Sequence, residues 1–113
     1  MITIDAENKA LGRVAAAAAK VLLGKHKVTF AKNVVDQEGV TIINASKVWL
    51  SGTKAGSKTY LRYSGYAGGL KDETYDMLVA RKGHEEVIRQ AVLGMLPKNK
   101  LQAKRIKLLS IQK

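Results

Sequence analysis

The sequence predicts a single α/β domain, residues 1–113, in which helices pack on a largely parallel sheet. Segments typical of strands and of helices alternate along the chain, which is the order found in proteins built on parallel sheets. The run 39–43 is β-branched and apolar, as expected of a buried parallel strand. With 113 residues and 46% hydrophobic side chains, the chain is long and apolar enough to form one core.

The first half of the chain contains a strand, a helix and a second strand. Ile2 and Ile4 alternate with polar residues, which predicts a short strand. Residues 11–23 favour a helix that ends at Gly24. The five alanines at 15–19 make this helix thin, which suits tight packing on the sheet better than close approach to a ribose-phosphate backbone. Asn44 follows the strand at 39–43, and we expect it to cap a short helical turn.

The second half begins with a segment rich in glycine. Residues 51–71 contain five glycines and predict a long loop with one candidate strand near 58–63. Helices are predicted at 73–79 and at 85–96, where acidic residues occupy the first turn of the second helix and Pro97 ends it. A helical turn at 98–105 and a strand at 106–111 complete the alternation.

The composition excludes several classes of protein. Twenty Lys and Arg residues against nine Asp and Glu give a net charge of +11, which predicts a polyanionic partner. The absence of cysteine excludes disulfides and thiolate metal sites. The apolar runs are shorter than the ~20 residues of a membrane span, and the first residues do not resemble a targeting segment. We therefore expect a cytoplasmic protein with no cofactor, membrane or small-molecule substrate.

The positive charge is concentrated in two windows without acidic residues, 39–71 and 87–113. A solvated face explains a single lysine, but two such windows in one small domain favour a surface for an anionic ligand. Between residues 53 and 71 four cations are interleaved with Tyr60, Tyr63 and Tyr66. Cations contact phosphates, and tyrosines stack on unpaired bases or pack in a core. RNA is favoured over duplex DNA because no predicted helix has a basic face long enough to read a major groove.

The spacing of residues excludes the common enzyme motifs. Gly24-Lys25 is followed by His26 and not by Ser or Thr, so the phosphate-loop pattern is absent. No Gly-x-Gly occurs, which excludes the dinucleotide fingerprint. His84-Glu85 has Ile88 where a zinc-protease motif has its second histidine. We therefore expect no catalytic and no metal-binding residues.

Several blocks of sequence, in order over nearly the whole chain, resemble one known family, the L-thirteen family of large-subunit ribosomal proteins. The most specific are Gly65-Tyr66-Ala67-Gly68-Gly69 and Gly94-Met95-Leu96-Pro97-Lys98-Asn99. The other matching blocks are Leu11-Gly12-Arg13, Leu23-Gly24-Lys25-His26-Lys27, Ile43-Asn44-Ala45-Ser46-Lys47-Val48, Ser51-Gly52-Thr53-Lys54 and Lys58-Thr59-Tyr60.

The resemblance implies a fold, a function and a set of contact residues. The implied fold is a three-layer α/β/α arrangement around a four-stranded parallel sheet. The implied function is to bind and organise large-subunit ribosomal RNA during early assembly, in the large subunit and beside neighbouring ribosomal proteins. The residues that match the family's RNA-facing positions are Arg13, Lys25, His26, Lys27, Lys54, Lys58, Arg62, Tyr66, Gly68, Gly69, Lys71, Lys98, Asn99 and Lys100.

Two features bear on how far the resemblance extends. The chain begins at the first strand and ends at Lys113 without the family's His-rich tail, and it has Leu101-Gln102-Ala103 where most bacterial members have Leu-Gly-Arg.

The adjacent Gly68 and Gly69 suit close approach to ribose and phosphate, or else a simple tight turn. On the first interpretation, Gly69→Val leaves the melting temperature of the free domain unchanged. The alternatives to a ribosomal protein are a regulatory module that binds messenger RNA and an enzyme acting on nucleotides.

Overall fold

The computed structural model describes residues 2–35, 37–50, 52 and 54–113, and the side chains of all of these except Lys54 and Ala55. The elements follow one another in the predicted alternation. They are β1 (Ile2–Asp5), α1 (Leu11–Leu23), β2 (Val40–Ile43), a 3-10 turn (Ala45–Lys47), α2 (Lys54–Ser57), β3 (Thr59–Tyr63), β4 (Leu70–Thr74), α3 (Tyr75–Lys82), α4 (His84–Met95), α5 (Gln102–Ile106) and β5 (Leu109–Ile111). Within the described ranges, no helix is long and apolar enough to cross a membrane.

The central sheet is parallel, as predicted, with the strand order β1-β2-β5. Ile2 pairs with Val40 and Val40 with Leu109, and Ile4, Ile42 and Ile111 form the next row. The α/β class is therefore confirmed, but the sheet has three strands in the described part of the chain, where four were expected. The strands β3 and β4 form an antiparallel hairpin and pair with no other strand of the described residues.

The two faces of the sheet differ in polarity. The face that carries Val40, Ile42 and Leu109 is buried and belongs to the same hydrophobic cluster as the buried residues of α1 and α4. On the other face, Thr3 and Ser110 are exposed. This alternation is typical of a sheet with one face packed on the core, so the described helices do not form a second layer over the polar face.

Helix α1 lies at the centre of the core. Val14, Ala18 and Leu22 are fully or almost fully buried, and α1 contacts α4 and the strands β1 and β2. Ala15, Ala18 and Ala19 are buried and serve the tight packing that was favoured for the alanines, whereas Ala16 and Ala17 are exposed. Gly24 ends the helix as predicted, with a left-handed φ of 80° and its N–H donated to the carbonyls of Lys20 and Val21.

One prediction of local structure is confirmed in part and another is wrong. Asn44 is the N-cap residue of the 3-10 turn, as predicted, but its φ of 57° is left-handed and its side chain makes no capping hydrogen bond. The side-chain amide of Asn44 instead donates to Asp5 Oδ1 at 2.9 Å. That hydrogen bond, together with one from the N–H of Glu7, lowers the pKa of the Asp5 carboxyl. Glu73 was expected in a helix but lies in β4 opposite Tyr60, and α3 begins only after Thr74, whose Oγ1 accepts from the N–H of Met77 at 3.3 Å.

Candidate nucleic-acid interface

The hairpin β3-β4 places two predicted contact residues directly opposite each other. Arg62 and Lys71 are cross-strand partners, both are exposed, and neither forms an ion pair with a carboxylate of the described residues. Like charges opposite each other destabilise a hairpin. Arg62, Tyr63 and Lys71 line a shallow cleft with Ser64 and Gly69, and an anion bound there would offset the repulsion between the two cations.

The tip of the hairpin, residues 64–69, is a turn closed by its own backbone. The N–H of Ser64 donates to the carbonyl of Gly69, and the N–H of Gly69 donates to the carbonyl of Tyr66 at 2.9 Å. The Tyr66 side chain is 79% exposed. An exposed ring on a fixed turn is available to stack on an unpaired base. The long loop predicted at 51–71 therefore contains α2, the expected strand, and a short turn.

The conformation of this turn requires glycine at positions 68 and 69. Gly68 has a φ of 73°, which side chains disfavour. A Cβ on Gly69 would collide with Ser64 Oγ and lie 2.9 Å from the backbone oxygen of Tyr66. The expectation that Gly69→Val leaves the free domain unchanged is therefore reversed, since the clash lies within the protein.

We expect Gly69→Val to lower the melting temperature of the free domain by several degrees, because overpacking of about 1–3 kcal/mol has this effect in a domain of such size. Gly94→Val is the control, since a Cβ there has open space on the exposed side of α4. Scanning calorimetry of both variants without RNA measures the difference. An unchanged melting temperature for Gly69→Val would show that the turn adapts and that its glycine is reserved for contact with a ligand.

A groove at the N-terminal end of α1 contains another predicted residue, Lys58. The groove has a volume of about 410 Å³, and Gly12, Trp49, Gln90 and Met95 also line it. Lys58 Nζ lies 5.4 Å from the centre of the Tyr60 ring. Trp49 is 56% exposed, and its backbone is fixed by hydrogen bonds with Lys9 and Leu11. Trp49 was not predicted as a contact residue, although an indole beside a lysine is a typical surface for base stacking.

A cleft at the C-terminal end of α1 brings together residues from two distant blocks of sequence. Lys25 and Asn99 line it with Lys32 and Arg105, and its volume is about 300 Å³. The apolar part of the lining is Leu23, Phe30 and Pro97. None of the described residues that line the cleft carries a carboxylate. Lys32 and Arg105 were not predicted as contact residues. The sequence contained a signal for Arg105, because it follows Leu101 by four residues and a helix places two such side chains on the same face, here an apolar one.

Two predicted residues beside this cleft contact an acidic residue of the protein itself. The Oε2 atom of Glu38 lies 3.0 Å from His26 Nε2 and 3.3 Å from Lys27 Nζ. Hydrogen bonds from His26, and next from Lys27, lower the pKa of the Glu38 carboxyl. Glu38 therefore neutralises Lys27 in part and occupies Nε2 of His26, and contact of either residue with an external anion competes with Glu38.

The remaining predicted residues are distributed around these three regions. Arg13 is exposed on the first turn of α1, near the groove, and Lys98 and Lys100 are exposed on either side of Asn99. The side chain of Lys54 lies outside the described part of the chain. Among the described residues, the carboxylate ion pairs involve Lys27, Lys47, Arg81 and Arg89, besides His26. Arg13, Lys25, Lys58, Lys98 and Lys100 thus form no ion pair with a described carboxylate.

This distribution of charge defines a class of protein. The described residues contain no group of His, Asp and Glu that could hold a metal ion. A small α/β core with unpaired cations and exposed aromatic rings is typical of basic proteins that bind nucleic acid. The comparison of sequences leads to a particular family within that class.

The chain belongs to the Ribosomal protein L13 family, whose model matches residues 1–113. It is 50% identical to large ribosomal subunit protein uL13 of Natranaerobius thermophilus, over 96% of this chain and 76% of the relative. The protein of the same name in Thermoanaerobacter sp. is 48% identical over 96% of this chain and 75% of its own length. The Chlamydia abortus protein is 43% identical over 97% and 73%. The recognition from sequence is confirmed, and the family is one of structural, non-enzymatic proteins of the cytoplasmic ribosome.

Proposed function

We propose that this chain is a structural constituent of the large ribosomal subunit that binds and organises large-subunit ribosomal RNA during early assembly. Its partners are then that RNA and the neighbouring ribosomal proteins. The observation that carries the proposal is the cross-strand pair of Arg62 and Lys71, two exposed like charges whose mutual repulsion a phosphate bound between them would offset. The family and the names of the relatives support the same assignment.

The proposed contact residues form two surfaces. The first, the hairpin surface, consists of Lys58, Arg62, Tyr66, Gly68, Gly69 and Lys71, and Lys54 is assigned to it from sequence. The second, the cleft surface, consists of Lys25, His26, Lys27, Lys98, Asn99 and Lys100. Arg13 is assigned to the groove at the start of α1. Since α1 has 13 residues and each adds ~1.5 Å, the groove at its start and the cleft at its end are roughly 18 Å apart, so Arg13 and the cleft surface contact separate nucleotides.

The proposal is tested by sedimentation of the tagged chain expressed in bacterial cells. We expect it to travel with large subunits and their precursors through a sucrose gradient and to remain bound after a wash at moderate salt. A regulatory module that binds messenger RNA would leave the large-subunit fractions after nuclease treatment of the messenger. Recovery of the chain only at the top of the gradient would contradict the proposal.

A further inference from the structure

Arg105 is a buried cation for which the described residues supply no carboxylate. Its side chain is 1% exposed, and it is the only charged residue among the buried ones that the structure describes. Nη2 donates to the backbone oxygen of Lys32 at 3.3 Å, whereas Nε is buried without a hydrogen-bond partner in the described part of the chain. Burial of an unpaired charge is costly, and proteins ordinarily offset it with an opposite charge.

Among the described residues that surround Arg105 in the cleft, the charged ones are all positive. It lines the cleft between the end of α1 and the segment after α4, together with Lys25, Lys32 and Asn99. Asn99 Oδ1 already accepts from the N–H of Leu101 at 3.1 Å, so the side chain of Asn99 has its amide N–H groups left to donate. Two ammonium groups, a guanidinium and an amide donor converge on one cleft, and a group bound there must accept hydrogen bonds and carry negative charge.

We propose that this cleft binds a phosphate group of RNA, which serves as the counter-ion of Arg105. Arg105 supplies the donors that a phosphate oxygen needs, and Lys25 and Lys32 hold the same group from the open side. The apolar lining of Leu23, Phe30 and Pro97 excludes water and strengthens these interactions. This inference rests on the proposed function, and it adds a buried cation to a surface whose other members are exposed.

The inference predicts that Arg105→Met does not destabilise the free protein but weakens its binding to RNA. Arg105→Met keeps an unbranched side chain of similar length and removes the charge. Without an anion, the melting temperature of this variant is expected to equal or exceed that of the wild type, because an uncompensated charge leaves the core. Its affinity for large-subunit ribosomal RNA is expected to fall roughly ten- to a hundred-fold, as for hydrogen bonds between charged groups.

Lys104→Met is the matched control. It removes one positive charge from the same short helix, but Lys104 is exposed and does not line the cleft. We expect this variant to bind RNA within about three-fold of the wild type, because an exposed charge contributes little. Filter binding over a range of salt also separates the two variants, since the loss of one phosphate contact reduces the slope of log K against log salt by about 0.7–0.9.

A second measurement uses inorganic phosphate in place of RNA. At constant ionic strength, replacing chloride with phosphate should raise the melting temperature of the wild type and of Lys104→Met but not that of Arg105→Met. This measurement tests anion binding in the cleft even if the chain does not bind ribosomal RNA. It therefore distinguishes a cleft that binds no phosphate from an incorrect proposed function. A phosphate effect without a change in RNA affinity would assign the cleft to free phosphate and overturn the inference. A marked loss of stability in Arg105→Met without phosphate would also overturn it, because Arg105 would then serve only the fold.

Discussion

Replacement of Lys58, Arg62 and Lys71 together by alanine is expected to weaken binding to large-subunit ribosomal RNA roughly a hundred-fold at moderate salt. All three side chains are exposed, and Arg62 and Lys71 face each other across the hairpin. For the wild type with ~6 neutralised phosphates, log K against log salt should have a slope of roughly −4 to −5, and the triple variant should lose about 2 units of that slope.

The control is a second triple variant with the same net charge. Lys20, Lys82 and Lys107 are exposed and lie outside both proposed surfaces. Their replacement by alanine is expected to leave the slope nearly unchanged, because no phosphate contact is lost. Equal weakening in the two triple variants would show that binding depends on net charge alone and would contradict the assignment of the hairpin surface.

Leu22→Ala is expected to destabilise the domain by about 2–5 kcal/mol and to lower its melting temperature by roughly ten degrees or more. Leu22 is fully buried on α1 in the cluster that joins the helices to the sheet. Scanning calorimetry measures the loss. At a temperature where the variant remains folded, its RNA affinity should equal that of the wild type, because neither proposed surface includes Leu22.

The matched control for the core is Leu61→Ala in the hairpin. Leu61 is 67% exposed, and the same substitution there is expected to change the free energy of unfolding by less than about 0.5 kcal/mol. A comparable loss in both variants would show that the hairpin packs on the core. The two pairs of variants together separate the residues that stabilise the domain from those that contact RNA.

The elements that could be predicted from sequence are those whose signals are local. Gly24 ends α1 because a left-handed residue is needed there, and Glu85 and Pro97 mark the two ends of α4 within a few residues. The parallel pairing of β2 followed from an apolar run in an alternating order of elements. These signals depend on the conformational preferences of a few neighbouring residues.

The features that could not be predicted depend on contacts between distant residues. Glu73 resembled the acidic start of a helix, but its pairing with Tyr60 extends β4, and Arg81 binds its carboxylate at 2.8 Å and lowers its pKa. The clash that makes Gly69 necessary involves Ser64, which the turn brings close. Arg105 contacts Lys32, which lies 73 positions earlier in the chain. Of the candidate site, the residue types were predictable, and their grouping at the hairpin and the cleft was not.

The hairpin also affects the tendency of the protein to associate with itself when it is not bound to RNA. Within the part of the chain that the structure describes, each of its strands has one edge without a partner strand, and Leu61, Tyr63 and Leu70 expose apolar surface. Such a ribbon is a template for strand pairing between molecules, and the charges of Arg62 and Lys71 oppose that self-association. Salt screens this repulsion. High salt, which releases the protein from a polyanion, therefore also favours its aggregation. The protein is thus least soluble under the conditions that separate it from its partner.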